Sequence, residues 1–422
     1  MKTIDLLPGM AAALLTSLCL ISCEKAPLSE ESVLPSDDAS FEVIDVNSYS
    51  ASEFADRLGV EAPAETKCKA LSYEIARLSY TSIGANGKPV TLSMKIAYPE
   101  GILTKYHDPD YVVLDNHPTI CSDVEAPYYT DPIALAKAMD DALVVCPDYE
   151  GYGLTAANDH PYLCHELNAR QSIDAALAAL DYISAKKGIS MEKKYYLQNC
   201  GYSQGGGIAL AVHKYIENNL SAADKAKLNL KESLCGGGPY SPVVTFEKYK
   251  EWDELDYPTV APMQIIGFMA GFPEIFADFE LADFFTPEFY NSGVIEMIRS
   301  KSYTIDEINE FIVSEFGSSK CSDMFSPAMY DENSELCKAV TRCLEINDLT
   351  TGWAPVKKVT LFHSKKDNVV PKENSDVAYE ALKSGNIKQE WALLSPDHLT
   401  TAILYYVEYM GLYLVNGLLG QL

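Results

Sequence analysis

"NCGYSQGGGIAL", residues 199–210, sets one serine among four glycines. It follows the apolar run "YYLQ" (195–198) and leads into the alternating stretch "IALAVHKYI" (208–216). An apolar run, a glycine cluster and an amphipathic stretch together spell strand, tight turn, helix. Two readings fit. In one the glycines serve only the tightness of the turn. In the other Ser203 is a nucleophile held at its apex. Gly201-Tyr202-Ser203-Gln204-Gly205 has the form G-x-S-x-G. A strained elbow needs glycines two before and two after its serine because neighbouring backbone passes close by. The pattern alone is common. A strand before and a helix after are the context that gives it weight.

The same rhythm extends along the chain. "ARLSYTSIGANGKPVTLSMKIAYP" (76–99) alternates as strands do around Asn86-Gly87, a hairpin signal. "YVVLDN" (111–116) and "ALVVCPD" (142–148) are short continuous apolar runs, as buried parallel strands are, with "DPIALAKAM" between them as a helix. "NARQSIDAALAALDYISAKKG" (168–188) is an amphipathic helix that ends on Gly188. "KESLCGGGPYSP" (231–242) begins as a strand. From about 243 to 350 the alternation stops and aromatic, Met-rich helical stretches replace it. It resumes with "VKKVTLFHSKKDNVVP", "SDVAYEALKSG" and "KQEWALLSP", and "HLTTAILYYVEYMGLYLVNGLL" closes as a long helix. Strands alternating with helices predict a mostly parallel sheet flanked by helices, and the break predicts a helical insertion above it.

The chain has 422 residues, 47% of them hydrophobic, and a formal charge of −27. That charge repels phosphate backbones and argues against nucleic acid as a partner. No CxxC pair, HExxH or Cys/His ladder points to a metal, and no cofactor motif appears. Residues 24–60 carry nine acids against two bases, which reads as a solvated tether. Cys146 and Cys200 lie in apolar runs and read as buried thiols, while Cys337 and Cys343 could form a local bridge.

A serine nucleophile needs a base and an orienting acid, in hydrolases of this kind later in the chain and in the order Ser, acid, His. Three histidines follow Ser203: His213 in a helical stretch, His363 inside a late strand, and His398 in the loop after the last strand. Only His398 has the position of a base delivered by a loop at the carboxyl edge of a sheet. Asp367, 31 residues earlier at the end of the preceding strand, is the acid. Asp397 is its competitor, though adjacent side chains rarely face each other.

"DYEGYG" (148–153), "GYSQGG" (201–206), "DNVVP" (367–371) and "SPDHLT" (395–400) together resemble the α/β-hydrolase superfamily, in its capped, secreted esterase and lipase-like branch. "HPYL" (160–163) is similar to secreted lipase-like members, and the resemblance spans about 75–420. It implies an α/β-hydrolase fold with an inserted helical cap. It implies that Ser203 attacks an acyl carbon, His398 takes and returns the proton, and Asp367 orients the imidazole. It implies an oxyanion hole from the backbone N–H of Gln204 and one from the loop "NHPTIC" (116–121). Relatives often have His-Gly there. Pro118 has no N–H, so the second donor is Thr119. His117 is open to two readings, a structural loop histidine or a catalytic part. Glu150 stands where relatives commonly have Arg.

At the start, Lys2 precedes the apolar run "MAAALLTSLCLIS", too short to span a bilayer, and "LISC" (20–23) resembles the lipobox of bacterial lipoproteins. This implies cleavage before Cys23, its acylation, and a lipid anchor in a bacterial cell envelope, on a periplasmic or cell-surface face. The alternative is an ordinary secretory signal with an incidental cysteine. The chain thus divides into a signal segment (1–22), an acidic tether (23–60), a first core part (61–242), a helical cap (243–350) and a second core part (351–422). The expected activity is hydrolysis of short- to medium-chain or aromatic acyl esters, lipid- or glycan-linked. Two alternatives stand beside it. One is a serine peptidase of the same fold, marked by a cap acid that binds a substrate amine, with Glu251, Asp253 and Glu254 as candidates. The other is a non-catalytic binding lipoprotein.

Overall fold

The computed structural model describes residues 40–60, 72–103, 109–188 and 195–408. The signal segment, Cys23 and the tether up to residue 39 lie outside these residues. Among the described residues nine strands form one sheet: β1 (Phe41–Ser50), β2 (Ser72–Ile83), β3 (Pro89–Pro99), β4 (Tyr111–Asn116), β5 (Ala142–Pro147), β6 (Leu197–Tyr202), β7 (Leu230–Gly236), β8 (Lys358–His363) and β9 (Ile387–Trp391). Their order is β1-β2-β3-β5-β4-β6-β7-β8-β9. The pairs from β1 to β5 are antiparallel, and those from β5 through β9 are parallel. β5 is buried along its whole length, as its continuous apolar run requires of a strand covered on both faces. The β2–β3 hairpin turns at Gly87, whose φ of 71° suits glycine.

Helices α1 (Ala51–Leu58), α2 (His165–Lys187), α3 (Gln204–Asn218) and α4 (Ala222–Leu228) precede the insertion. One face of the sheet buries Leu114, Val145 and Leu197 against Ile173 and Leu180 of α2 and Ile208 and Val212 of α3. The other buries Val113 and Val144 against Phe54 of α1 and Leu135. Each such side chain, fully buried, contributes roughly 1.5–3 kcal/mol. The expected helix after β4 is a 3-10 turn, Ile133–Asp140.

The tether reading fails over 41–58. β1 pairs with β2 along its length, and Phe41, Val43 and Val46 pack against the core. Ser50 and Glu53 form a reciprocal capping box that starts α1, and Phe54, Ala55 and Leu58 are buried. Acidic composition masked the alternation of "FEVIDV". The folded core therefore includes residues 41–58, ahead of the expected start at 61.

Between β7 and β8 the chain is helical: α5 (Pro242–Glu251), α6 (Val260–Gly271), α7 (Val294–Ser300), α8 (Ile305–Phe311), α9 (Glu335–Ile346) and shorter turns. Phe268, Phe284, Phe289, Ile308 and Met324 form a core of their own within it. Polar ties fasten this layer to the sheet layer. The Lys301 ammonium donates to the carbonyls of Gly151 (2.7 Å) and Asn158 (2.9 Å), and Arg299 pairs with Asp159. After β8 follow α10 (Glu373–Leu382) and α11 (His398–Glu408). Cys337 and Cys343 are free thiols on one helix, α9. Six residues along a helix separate them by about 9 Å, too far to bridge. Cys146 and Cys200 are buried thiols in β5 and β6.

Candidate active site

Ser203 stands between β6 and α3 at φ 58°, ψ −124°, outside the regions L-residues favour. The flanking glycines make that turn possible. A Cβ on Gly201 would fall 2.3 Å from the Gly205 carbonyl oxygen, and one on Gly205 would fall 1.9 Å from that of Asn116. β4 and β6 pair in parallel with Asn116 opposite Gly201, so the chain leaving β4 passes directly beside the elbow.

The three residues singled out in the sequence converge from three parts of the chain. His398 Nε2 lies 2.9 Å from Ser203 Oγ, and His398 Nδ1 lies 2.7 Å from Asp367 Oδ2. Asp367 is fully enclosed. Its Oδ1 accepts the N–H groups of Val369 (2.9 Å) and Val370 (2.8 Å). Burial pushes the Asp367 carboxyl up, but the charge of His398 and the hydrogen bonds from His363 and His398 outweigh it and hold it well below the usual carboxylate range. An ionised acid on Nδ1–H leaves Nε2 free to accept the serine proton. Asp397 does not compete. Its Oδ1 accepts the Thr400 N–H at 2.8 Å and so caps α11.

Gln204 is the first residue of α3, so its N–H has no partner within the helix. Its side chain is also held. Gln204 Nε2 lies 2.7 Å from His160 Nε2, and His160 Nδ1 lies 2.7 Å from the Glu150 carbonyl. A carbonyl only accepts, so Nδ1 carries the proton and Nε2 accepts from Gln204. Burial keeps that imidazole neutral, its pKa brought down to about 3. Thr119 lines the cavity over Ser203, and its hydroxyl is 2.9 Å from that of Tyr162. His117 is structural: buried, stacked on Tyr149 at 4.1 Å and bonded to the Pro118 carbonyl at 2.7 Å. Burial lowers its pKa to about 4.

Sequence reasoning missed four supporting residues. His363 Nε2 donates to Asp367 Oδ2 at 3.1 Å, and His363 Nδ1 is 2.8 Å from Ser375 Oγ. Asn368 accepts the His398 N–H at 3.0 Å, and the Tyr202 hydroxyl donates to the His398 carbonyl at 2.8 Å. His160 is the fourth. Only "HPYL" and the His363–Asp367 spacing could have signalled any of them. Glu150 also finds a role. Its carboxylate accepts from the Ala85 N–H (2.7 Å), Gln171 (3.1 Å) and Asn158 (3.1 Å), tying the hairpin to the loop that carries His160.

A cavity of about 110 Å³ opens over Ser203 and His398, walled by Ile120, Leu163, Val260 and Leu399 among others. The cap acids suggested by the sequence do not reach it. Glu251 is exposed and paired with Lys248, Asp253 is exposed and paired with Lys320, and Glu254 is exposed.

No protein-family model matches the chain, and no curated protein matches it. Solved structures do. The rice cell wall degrading esterase LipA from Xanthomonas oryzae is similar over 92% of this chain and 99% of its own, at a TM-score of 0.67 and 22% identity. The fold is that of the α/β-hydrolases. Candida antarctica lipase A in its closed state is similar over 86% of this chain and 79% of its own, at a TM-score of 0.59 and 14% identity. In α/β-hydrolase terms, Ser203 occupies the elbow between a central parallel strand and its following helix, with Asp367 and His398 arriving after β8 and β9.

Proposed function

We propose that the chain is a serine carboxylic-ester hydrolase acting through an acyl-enzyme. The observation that carries the reading is the continuous run of hydrogen bonds from Asp367 through His398 to Ser203, which ends in an apolar cavity. Ser203 Oγ adds to the ester carbonyl carbon while His398 Nε2 takes its proton. The imidazolium is stabilised by Asp367. The oxyanion is received by the N–H groups of Gln204 and Thr119. Collapse expels the alcohol with the proton from His398 and leaves Ser203 acylated. Water then repeats the two steps and releases the acid.

The cavity's apolar walls support short- to medium-chain or aromatic acyl groups, and its size favours the smallest of them. Its volume of about 110 Å³ is somewhat below the about 150 Å³ that admits a benzene ring. Each methylene taken out of water adds roughly 0.8 kcal/mol until the space is full. Esters decorating glycans fit this range, and the similar LipA is described as degrading rice cell wall. The amino-terminal reading completes the proposal. Acylated Cys23 tethers the enzyme to a bacterial cell envelope, so loss of the membrane fraction in Cys23→Ala tests the anchor.

The test of activity is kcat/KM for acetyl, butyryl, octanoyl and cinnamoyl esters beside proline and alanine amides, on the wild type and Ser203→Ala. Ester turnover that Ser203→Ala abolishes is the expected result. Faster cleavage of the aminoacyl amides than of every ester moves the assignment to a peptidase.

A further inference from the structure

Both residues assigned to the oxyanion hole are held by one short turn, His160-Pro161-Tyr162. The Gln204 side chain meets His160 Nε2 at 2.7 Å, and the Thr119 hydroxyl meets that of Tyr162 at 2.9 Å. Gln204 opens α3 and Thr119 follows β4, so the turn joins two segments far apart in the chain. The turn itself has little freedom. The Tyr162 N–H donates to the His160 carbonyl at 2.7 Å across Pro161, whose ring fixes φ. Leu163 follows in the left-handed region at φ 58°. A Cβ on Gly151 would lie 2.6 Å from His160 Cα, so these two backbones pass in contact. His160, Tyr162 and Gln204 are all buried, and little water competes for their hydrogen bonds.

The cap holds the same turn from its other side. A Cβ on Gly267 of α6 would fall 2.4 Å from the Tyr162 nitrogen and 2.7 Å from its carbonyl oxygen. The Cys164 thiol donates to the Gly267 carbonyl at 3.4 Å. At the end of α7, Lys301 donates to the Gly151 and Asn158 carbonyls, and Arg299 pairs with Asp159 beside His160. Lys301 is buried in a narrow gap next to His160, away from the cavity over Ser203.

We propose that His160 and Tyr162 are positioning residues for the oxyanion hole, and that the cap sets their place through Lys301. This rests on the ester-hydrolase reading and deepens it. His160 fixes the Gln204 side chain at the start of α3, and with it the direction of the Gln204 backbone N–H. Tyr162 fixes the Thr119 segment, and with it the second N–H. The oxyanion forms only after Ser203 attacks, so loosening either hold acts on kcat and leaves KM nearly unchanged.

Four variants of the full-length protein test this: His160→Leu, His160→Gln, Tyr162→Phe and Lys301→Met. Each is measured for kcat and KM on 4-nitrophenyl butanoate, for Ki of propyl trifluoromethyl ketone, and for Tm. Ser203 Oγ adds to the ketone carbon, its proton passes to His398, and the ketone oxygen becomes an anion in the hole. Ki therefore reports the hole without turnover. Outright loss of one oxyanion donor costs about 100- to 1,000-fold in kcat, and a displaced donor costs less. His160→Leu should lose about 10- to 100-fold in kcat, with KM within about twofold and Ki raised in proportion. His160→Gln, whose carbonyl oxygen can accept from the Gln204 amide, should recover most of both. Tyr162→Phe keeps the ring and should lose about tenfold, and Lys301→Met should show the same joint change at about threefold or more. Wild-type kcat and Ki in either His160→Leu or Tyr162→Phe, or a fall in kcat without a matching rise in Ki, overturns the role of that residue and keeps the hydrolase. A Lys301→Met that lowers Tm and moves neither kcat nor Ki overturns the cap's part. A wild type with no Ser203-dependent ester turnover overturns the hydrolase reading and the hole with it.

Discussion

His363 Nε2 lies 3.1 Å from Asp367 Oδ2, the same oxygen that accepts His398 Nδ1 at 2.7 Å. Two imidazoles thus meet on one carboxylate oxygen, while the other oxygen takes two backbone N–H groups. Only His398 touches the serine. His363 is fully buried behind the acid, with Ser375 on its far nitrogen. It is a positioning residue, and it fixes the carboxylate plane from which the His398 imidazole takes its orientation.

Removing that hold has a size. A hydrogen bond to a charged group is worth about 1.5–3 kcal/mol, which is about 10- to 100-fold in rate if it acts on the transition state. His363→Ala should lose that much kcat with KM within about twofold, since His363 does not touch substrate. His363→Gln, whose amide can reach the same oxygen, should recover part of the loss. Equal loss in kcat and in thermal stability for both variants, without recovery by Gln, would reduce His363 to a packing residue.

The nucleophile and acid give sharper numbers. Ser203→Ala should lose roughly six orders of magnitude in turnover, about 8 kcal/mol of barrier. A fluorophosphonate probe should label Ser203 alone. Asp367→Asn should fold and lose about four decades, because the imidazole tautomer is then wrong. Asp397→Asn should stay near wild-type rate, since its side chain bonds the Thr400 N–H and not His398. The reverse order of the two Asn variants would mean that the acid has been misplaced.

Gly205→Ala tests the elbow's geometry. The added Cβ would meet the Asn116 carbonyl at 1.9 Å and that of His117 at 2.8 Å, both backbone. Neither can swing aside as a side chain tip would. The variant should lose at least about 3 kcal/mol in urea unfolding, and any folded fraction should be inactive because the Thr119 segment is displaced. Wild-type stability in Gly205→Ala would contradict the close approach of β4 to α3.

The contributions of Asp115 and Asp148 to stability should fall as pH rises from about 4 to 7, opposed below about 6.5 by His117, His160 and His165, which burial holds neutral. Burial raises the Asp115 carboxyl from its ordinary 3.8 to about 7, against a small opposing contact from the Cys200 thiol. Burial likewise takes Asp148 to about 7, against hydrogen bonds from Ser93 and Tyr128. At these two carboxyls the folded state keeps protons that the unfolded state has released, so their contribution to the slope of stability with pH is negative. Asp367 has the opposite sign. Its folded pKa is depressed, so its contribution is present above about 3.8 and is lost only in more acidic solution. Asp115→Asn should make the slope of Tm from pH 4 to pH 8 more positive than it is in the wild type. An unchanged slope would show that Asp115 does not titrate in this range.

Much of the site was legible because its signals are local. The glycines around Ser203, the position of Asp367 after a strand and the loop placement of His398 each occupy a few consecutive residues, and chain order suggested their roles. Asp397 against Asp367 was decided in space, by a helix cap on one and an imidazole on the other. Composition misled at 41–58, where acids on the solvent side hid a strand and a helix whose other side is apolar. It misled again in the cap. Glu251, Asp253 and Glu254 stood out as a cluster yet face solvent, while the isolated Glu125 and Asp306 line the cavity.

By itself the sequence determined the alternation of strands and helices, the elbow, the interruption between β7 and β8, and the residue types able to do acyl transfer. Periodicity and turn chemistry act over a turn or a strand, so they can be read from neighbours in the chain. Tertiary structure alone decided which strand lies beside which, and therefore everything that depends on distant segments meeting. Pairing β4 with β6 puts Asn116 against Gly205. Pairing β7 with β8 and β8 with β9 brings the ends that carry Asp367 and His398 to Ser203. His363 and His160 acquire meaning only there, because burial and the partner left for each polar group are properties of the packed molecule and not of the local sequence.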